Sequence, residues 1–264
     1  MKYETYGCPF VTPGAAGTTF KLYDMKVVGT LTVSSKKANF IQAFQPQTLM
    51  LDTAKAYFWD PTKVSSTGET GCWCYKYADT TTGQAANAEV PHDTTFPAGT
   101  AFLFNCPTDG KGVGLQFAGQ VLSPTPDADG YITISKVVGD SEVKYMFFAN
   151  PFPVSITLAD MKISGSLTVS SKKSNFIQKF QTGTLMLDTV KAYFWDYAKT
   201  AAAGGTGCWC YKYADTTTGQ AANAEVLDAA SITLAPGEGF FFNSPTTEKD
   251  ICIKIKVPDA VKNL

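Results

Sequence analysis

Two short cysteine motifs recur in this chain, Cys72-x-Cys74 and Cys208-x-Cys210. Side chains alternate along a β-strand, so both thiols of a motif would project from one face, where they can share a metal ion. If the two motifs met, their sulfurs would form an all-thiolate set of four ligands, although zinc knuckles use a longer spacer and a turn. Thiols without chemistry and disulfides within or between chains are the alternatives. We predict no metal and no cofactor. If a metal ion is bound, these four cysteines are its candidate ligands.

Four acidic positions also recur, and a pair of carboxylates is what glycoside hydrolysis requires. They are Asp52/Asp188, Asp60/Asp196, Asp79/Asp215 and Glu89/Glu225. All flank predicted turns or strand ends, where Asp commonly caps a turn. The sequence contains neither a Gly-rich phosphate loop between a strand and a helix nor a G-x-S-x-G elbow. We therefore predict that the chain is not an enzyme.

An aromatic row alternates with the cysteines. Its six residues are Trp73, Tyr75, Tyr77, Trp209, Tyr211 and Tyr213. Core packing is one interpretation of this row. The other is an exposed row that stacks on sugar rings or on a neighbouring subunit, which makes the six residues candidates for ligand stacking.

These motifs belong to a long internal repeat, in which residues 24–90 recur as residues 160–226 and only 15 of the 67 aligned pairs differ. The match continues more weakly on both sides. A period of this size predicts two copies of one domain with approximate internal two-fold character. Either recombination has kept the centre alike, or both copies must present the same surface.

Short segments rich in β-branched and aromatic residues, separated by Gly, Pro, Asn and Asp, predict strands throughout. We predict an all-β chain of two tandem homologous β-sandwich domains related by internal duplication, with a jelly roll as one candidate strand order. The predicted parts are a first repeat (1–121), a linker (122–130) and a second repeat (131–264). Residues 48–52 and 55–60 are predicted as two separate strands.

The segment 131–138, YITISKVV, is a predicted strand without a counterpart in the first repeat. A missing strand leaves an edge that invites strand addition. One hypothesis is that this strand, through Ile132 and Ile134, or the strand at 251–257, completes a sheet across a boundary between domains or subunits. The alternative is that it pairs within the second repeat. Ile132 and Ile134 are therefore candidate assembly residues, together with the four motif cysteines if these crosslink chains.

Composition excludes several classes of function. The 264 residues have a net charge of −1, no Arg and a single His, His92. Arg is the usual bidentate ligand of phosphate, so its absence argues against nucleic-acid or nucleotide partners. A lone His, absent from the second copy, argues against a duplicated acid–base or metal site. No apolar run is long enough to span a membrane.

Two further signatures carry a resemblance. Residues 149–165 read ANPFPVSITLADMKISG, and residues 234–242 read LAPGEGFFF, with weaker counterparts in the first repeat. They resemble a class of bacterial β-rich tandem-repeat surface proteins with NPFP-type and APGEGFF-type strand motifs. The resemblance implies export and surface association, and it transfers no functional residue. The first repeat departs from the pattern, because Cys8-Pro9-Phe10-Val11 replaces the NPFP motif.

The observations favour a non-enzymatic structural protein that self-assembles into an extracellular fibre, tube or surface layer, with copies of itself as partners. The alternatives are a tandem glycan-binding β-sandwich module and a phage virion decoration or shell protein. We expect an extracellular or cell-surface location, or a virion if Met1 is the initiator.

Overall fold

A computed structural model describes residues 3–11, 19–31, 36–107, 112–138 and 141–262. The chain is all-β, as predicted. The strands of the first repeat are β1 (Tyr3–Tyr6), β2 (Phe10–Val11), β3 (Thr19–Lys21), β4 (Met25–Val28), β5 (Phe40–Phe44), β6 (Leu51–Val64), β7 (Thr70–Tyr75), β8 (Thr95–Pro97), β9 (Phe102–Asn105), β10 (Gly114–Phe117) and β11 (Gln120–Val121). Those that follow are β12 (Tyr131–Ser135), β13 (Val137–Val138), β14 (Ser141–Glu142), β15 (Tyr145–Ala149), β16 (Ile156–Thr157), β17 (Met161–Ser164), β18 (Phe176–Phe180), β19 (Leu187–Thr200), β20 (Thr206–Tyr211), β21 (Thr233–Leu234), β22 (Gly239–Asn243) and β23 (Cys252–Lys256). The helical segments in the described residues are short 3₁₀ turns at Leu22–Asp24, Lys36–Ala38, Leu158–Asp160, Lys172–Ser174 and Asp259–Val261.

Each repeat forms one five-stranded antiparallel sheet. The order is β1-β9-β5-β6-β7 in the first repeat and β15-β22-β18-β19-β20 in the second. The registers also correspond, since Trp59 lies opposite Trp73 and Trp195 lies opposite Trp209. The large sheets therefore place equivalent side chains at equivalent positions.

The prediction of separate strands at 48–52 and 55–60 is wrong, because one continuous strand, β6, runs from Leu51 to Val64. The Asp52 carboxylate accepts a hydrogen bond from the Ala54 backbone N–H at 2.9 Å, as it would in a turn. The chain nevertheless stays extended, and a register shift against β5 between Gln42 and Phe44 absorbs the irregularity. A turn-like sequence here marks a bulge.

Smaller sheets cover one face of each five-stranded sheet and complete a sandwich. They are β10-β4 and β3-β8 in the first repeat, and β12-β23-β17 and β16-β21 in the second. Trp209 and Phe240 of the large sheet pack with Ile253 of the small one in the core of the second repeat. In the first large sheet β1 pairs with the distant β9, whereas β5, β6 and β7 are neighbours in chain order, and the second large sheet repeats this arrangement.

The segment predicted as a strand at 131–138 pairs within the second repeat. β12 runs antiparallel to β23, from Tyr131 opposite Lys256 to Ser135 opposite Cys252, and β13 pairs separately with β14. Within the described part of the chain, no strand occupies the corresponding outer edge of β10. The two small sheets therefore differ by one strand.

The two repeats meet through reciprocal backbone hydrogen bonds. Gly7 N–H donates to the Gly237 carbonyl at 2.8 Å, and Ala149 N–H donates to the Gly99 carbonyl at 2.7 Å. Gly7 aligns with Ala149, and Gly237 aligns with Gly99, so the two bonds exchange places under an approximate two-fold rotation. Isolated β-bridges beside them, Tyr6 with Glu238 and Phe148 with Thr100, exchange in the same way.

Candidate functional site

Each repeat presents an exposed apolar loop where β5 turns into β6 or β18 turns into β19. We call residues 45–50 the first tip and residues 181–186 the second tip. Met50 and Met186 are each 64% exposed, and the neighbouring Leu49 and Leu185 are 49% and 43% exposed. Exposed large apolar side chains that recur at equivalent positions are typical of contact surfaces.

The two tips have the same backbone hydrogen bonds. Gln45 N–H donates to the Met50 carbonyl, and Gln181 N–H donates to the Met186 carbonyl, both at 2.8 Å. The Thr48 hydroxyl accepts from Met50 N–H at 3.1 Å, and the equivalent bond in the second tip has the same length. The loops are therefore fixed before any partner arrives.

The tips keep this shape although two of their residues differ. The third tip residue has a left-handed backbone in both, with φ 64° at Gln47 and 79° at Gly183. Gly adopts this conformation freely, whereas a residue with a side chain is strained in it. Sequence analysis did not single out the tips, although the shared TLMLDT segment, which continues into β6 and β19, contains the last three residues of each.

The motif cysteines lie on the sheet face opposite Trp73 and Trp209. The Cys72 and Cys74 sulfurs are 3.7 Å apart, those of Cys208 and Cys210 are 3.9 Å apart, and all are thiols. None of the four residues is more than 7% exposed. Crosslinking of chains through these sulfurs would therefore require local opening of the fold.

The surroundings of the thiols keep them protonated. Burial raises the pKa of Cys72 and of Cys208 to about 12, and the thiolate is the form that binds metal and attacks electrophiles. The two pairs belong to separate apolar clusters, one with Phe58 and the other with Phe194. Within the described ranges, no group of three or more His, Cys, Asp or Glu side chains is placed to hold a metal ion.

The aromatic row faces the sandwich interior at its tryptophans. Trp73 and Trp209 are at most 2% exposed, and each indole N–H donates to a backbone carbonyl of the facing strand at 2.7 Å. These indoles present no stacking face to solvent. The row reaches the surface at its ends, where Tyr77 and Tyr213 are each 38% exposed, while Tyr75 and Tyr211 are half-buried.

The recurrent carboxylates are engaged in local hydrogen bonds. Asp60 pairs with Lys36, and Asp79 accepts from the backbone of Thr81 at 2.9 Å. Glu89 accepts from the backbone of Ser66 at 2.9 Å in the loop between β6 and β7. Their equivalents Asp196, Asp215 and Glu225 make corresponding bonds.

Two clefts flank the interface between the repeats at positions related by the two-fold exchange. The first cleft, of 270 Å³, is lined mainly by apolar side chains that include Phe44, Ile134 and Met146. The second cleft, of 320 Å³, is lined by polar side chains that include Glu4 and Lys179.

The candidate assembly residues Ile132 and Ile134 are half-buried against the second core. Both also line a 450 Å³ groove between β12 and the linker, beside Pro124 and Pro126. Their side chains therefore pack within the chain and leave part of their surface facing this groove.

Comparison of the chain with protein-family models, with curated proteins and with solved structures finds no match. Across the residues that the structure describes, no helix has the length and apolar character to cross a membrane.

Proposed function

We propose that the chain is a non-enzymatic structural protein that assembles with copies of itself into an extracellular fibre, tube or surface layer, and that the two tips are its contact sites. The observation that carries the proposal is the equal, 64% exposure of Met50 and Met186 on loops of the same backbone geometry. The recurrence of an exposed apolar pair at equivalent positions supports a partner that covers both tips.

The geometry of the tips favours a partner with a matching apolar surface. Leu49 and Met50 are adjacent, so each tip offers one continuous apolar contact with a polar rim, and Met adapts its shape to an opposing side chain. Because the loop is already fixed by hydrogen bonds, binding orders few additional groups.

A chain with two equivalent sites forms an open polymer when the contacts do not close into a ring. If a tip packs against a tip of another copy, each contact is self-complementary, and the second tip stays available for the next copy. Growth ends only where a tip is blocked. An alternative route through β12 is less favoured, because that strand already has an intramolecular partner in β23.

Blocking one tip or both tips tests the proposal. We expect Met50→Asp or Met186→Asp alone to limit assembly to dimers, because one site remains, and the double variant to be monomeric. Size-exclusion chromatography with light scattering and negative-stain microscopy would measure the sizes. Leu227→Asp is the control, since Leu227 is 77% exposed but lies outside both tips.

Two outcomes would reject the proposal. One is a wild-type protein that remains monomeric across salt and protein concentration. The other is a double variant that polymerises like the wild type, which would leave Ile132→Asp/Ile134→Asp as the next variant to examine.

A further inference from the structure

The second cleft carries a set of polar side chains that the first cleft lacks. Glu4, Thr5 and Tyr6 are aligned with Met146, Phe147 and Phe148 of the first cleft. Lys179 is aligned with Ala43, and Glu238 with Thr100. Five neighbouring positions have thus changed from apolar or small to polar in one cleft only. The backbone bonds beside the clefts are the same, so the interface itself does not need the polar set.

The polar groups form two connected pairs along the cleft. The Tyr6 hydroxyl donates to the Glu4 carboxylate, and the Lys179 ammonium lies 2.5 Å from the Glu238 carboxylate. Burial, followed by the hydrogen bond to Glu4, raises the pKa of Tyr6, so its hydroxyl remains a donor at neutral pH. Each carboxylate retains lone pairs, because a carboxylate accepts about four hydrogen bonds.

This mixture of donors and acceptors selects the charge of a ligand. The Lys179–Glu238 ion pair is neutral as a whole, and the remaining Glu4 carboxylate repels an anion. The Gln181 amide, which also lines the cleft, adds both a donor and an acceptor. A neutral ligand with many hydroxyl groups matches the set, because each hydroxyl both donates and accepts.

A buried hydroxyl at the cleft lacks a partner. Thr5 lines the cleft and is 7% exposed, and its Oγ1 has no hydrogen bond. An unsatisfied buried hydroxyl typically costs about 1–3 kcal/mol. After rotation about χ1, a ligand hydroxyl in the cleft would supply the missing bond. The equivalent residue in the first cleft, Phe147, instead stacks on Phe44 with ring centroids 3.6 Å apart.

We infer that the second cleft binds a neutral saccharide, with Glu4 and Glu238 as acceptors for sugar hydroxyls, Lys179 as a donor and Tyr6 as an aromatic wall. The volume of 320 Å³ lies at the small end of ligand pockets, so one or two sugar rings fit. The first cleft lacks this polar set, so the site has no counterpart there. It is separate from the aromatic row and adjoins the second tip, which contributes Gln181 to its lining.

A printed array of neutral and charged bacterial and host glycans, probed with the full chain, tests the inference. We expect binding to neutral glycans, confirmed by titration calorimetry with the free saccharide. Replacement of the polar residues by those of the first cleft, as Glu4→Met/Glu238→Thr, should weaken binding at least tenfold. The matched control is Met146→Leu/Thr100→Ser in the first cleft, which should leave binding unchanged.

A second variant guards against loss of fold. Lys179→Ala introduces the first-repeat residue at a half-buried position and should also weaken binding, while circular dichroism and the unfolding midpoint show that the protein remains folded. Absence of binding to every neutral glycan overturns the inference. So does binding that Tyr77→Ala/Tyr213→Ala abolishes, or preference for the polyamine spermine. Because neither Met50 nor Met186 lines the second cleft, Met50→Asp/Met186→Asp should bind saccharide whether or not the tips mediate assembly.

Discussion

The first and second clefts share a backbone and differ in chemistry. In both, a strand end of one repeat donates a backbone hydrogen bond to a glycine carbonyl of the other, at 2.8 Å and 2.7 Å. Stacked aromatic rings line the first cleft, where Phe44 lies against Phe147, whereas an ion pair between Lys179 and Glu238 lines the second.

Backbone hydrogen bonds hold the two repeats together, whereas the side chains that line the clefts differ between them. The backbone bonds do not involve the side chains that line the clefts, so the interface accommodates apolar residues in one cleft and polar residues in the other, whereas Gly7 and Gly237 leave no room for a Cβ. Of the 67 aligned pairs in the central repeat only 15 differ, and one of those few is Ala43 with Lys179. Seven of the fifteen lie at positions 61–69, in the end of β6 and the loop to β7, whereas the exchange of Ala43 for Lys179 alters a cavity.

The largest effect should come from the shared cores. We expect Trp73→Ala and Trp209→Ala each to lower the free energy of unfolding by about 3–5 kcal/mol, because each removes a buried indole and leaves a cavity. Urea denaturation would measure it. Tyr77→Ala and Tyr213→Ala at the exposed ends of the rows are the controls. A cost below that of the tyrosine variants would contradict the core assignment.

The next largest effect on stability should differ between two glycines of the interface, Gly237 and Gly99. A Cβ at Gly237 would lie 2.3 Å from the Gly7 carbonyl oxygen, whereas a Cβ at Gly99 would meet nothing closer than 3.6 Å. Both have positive φ, which costs about 1–2 kcal/mol for a residue with a side chain. Gly99→Ala should cost about that amount and Gly237→Ala clearly more, as measured by thermal unfolding. Equal costs would show that the close approach at Gly237 relaxes freely.

A smaller effect is expected in the pH dependence of stability, and the two repeats should contribute equally to it. Lys76 and Lys212 lie over the rings of Phe40 and Phe176, and burial lowers the pKa of each lysine to about 8 from 10.5. Between about pH 8 and pH 10.5 these lysines hold more protons in the unfolded chain than in the folded one. Their contribution to the free energy of unfolding therefore rises with pH across this range and is complete above pH 10.5.

The measurement compares unfolding midpoints at pH 7.5 and 9.5. Lys76→Met/Lys212→Met should remove the lysine contribution, so its midpoint should rise less, or fall more, than that of the wild type, and each single variant should show about half of this difference. The comparison with the wild type is needed because burial also raises the pKa of Cys72 and Cys208 to about 12, so these thiols oppose the lysines where unfolded cysteines ionise, as Tyr57 and Tyr193 do at higher pH. An unchanged slope in the double variant would show that other groups govern this range.

The smallest effect is expected at the tips. Gln47→Gly should raise the free energy of unfolding by less than about 1 kcal/mol, because Gly relieves the left-handed strain although it adds flexibility to the unfolded chain. The reciprocal Gly183→Gln should lower it by a similar amount. Differential scanning calorimetry would detect the shifts, and shifts of the same sign would contradict the shared loop geometry.

The sequence predicted the all-β fold because alternation and turn residues are local signals. It also placed Trp73 opposite the cysteines, since strand periodicity determines the face. It misjudged β6, because the Asp52 bond looks like a turn until the partner strand is known. The clefts could not be predicted, since Glu4, Lys179 and Glu238 come from three distant segments that only the packing of the repeats brings together. The exposure of Met50 was also hidden, because an apolar residue in a strand-rich segment is expected in the core.

The reciprocal bonds join two halves of one polypeptide, which makes their association independent of protein concentration. Two separate subunits with this interface would dissociate on dilution, whereas residues 122–130 hold the halves at an effective concentration that short linkers set in the millimolar range. The second cleft, whose walls come from both halves, therefore remains assembled even in a single isolated molecule. Its occupancy depends only on how much ligand surrounds it.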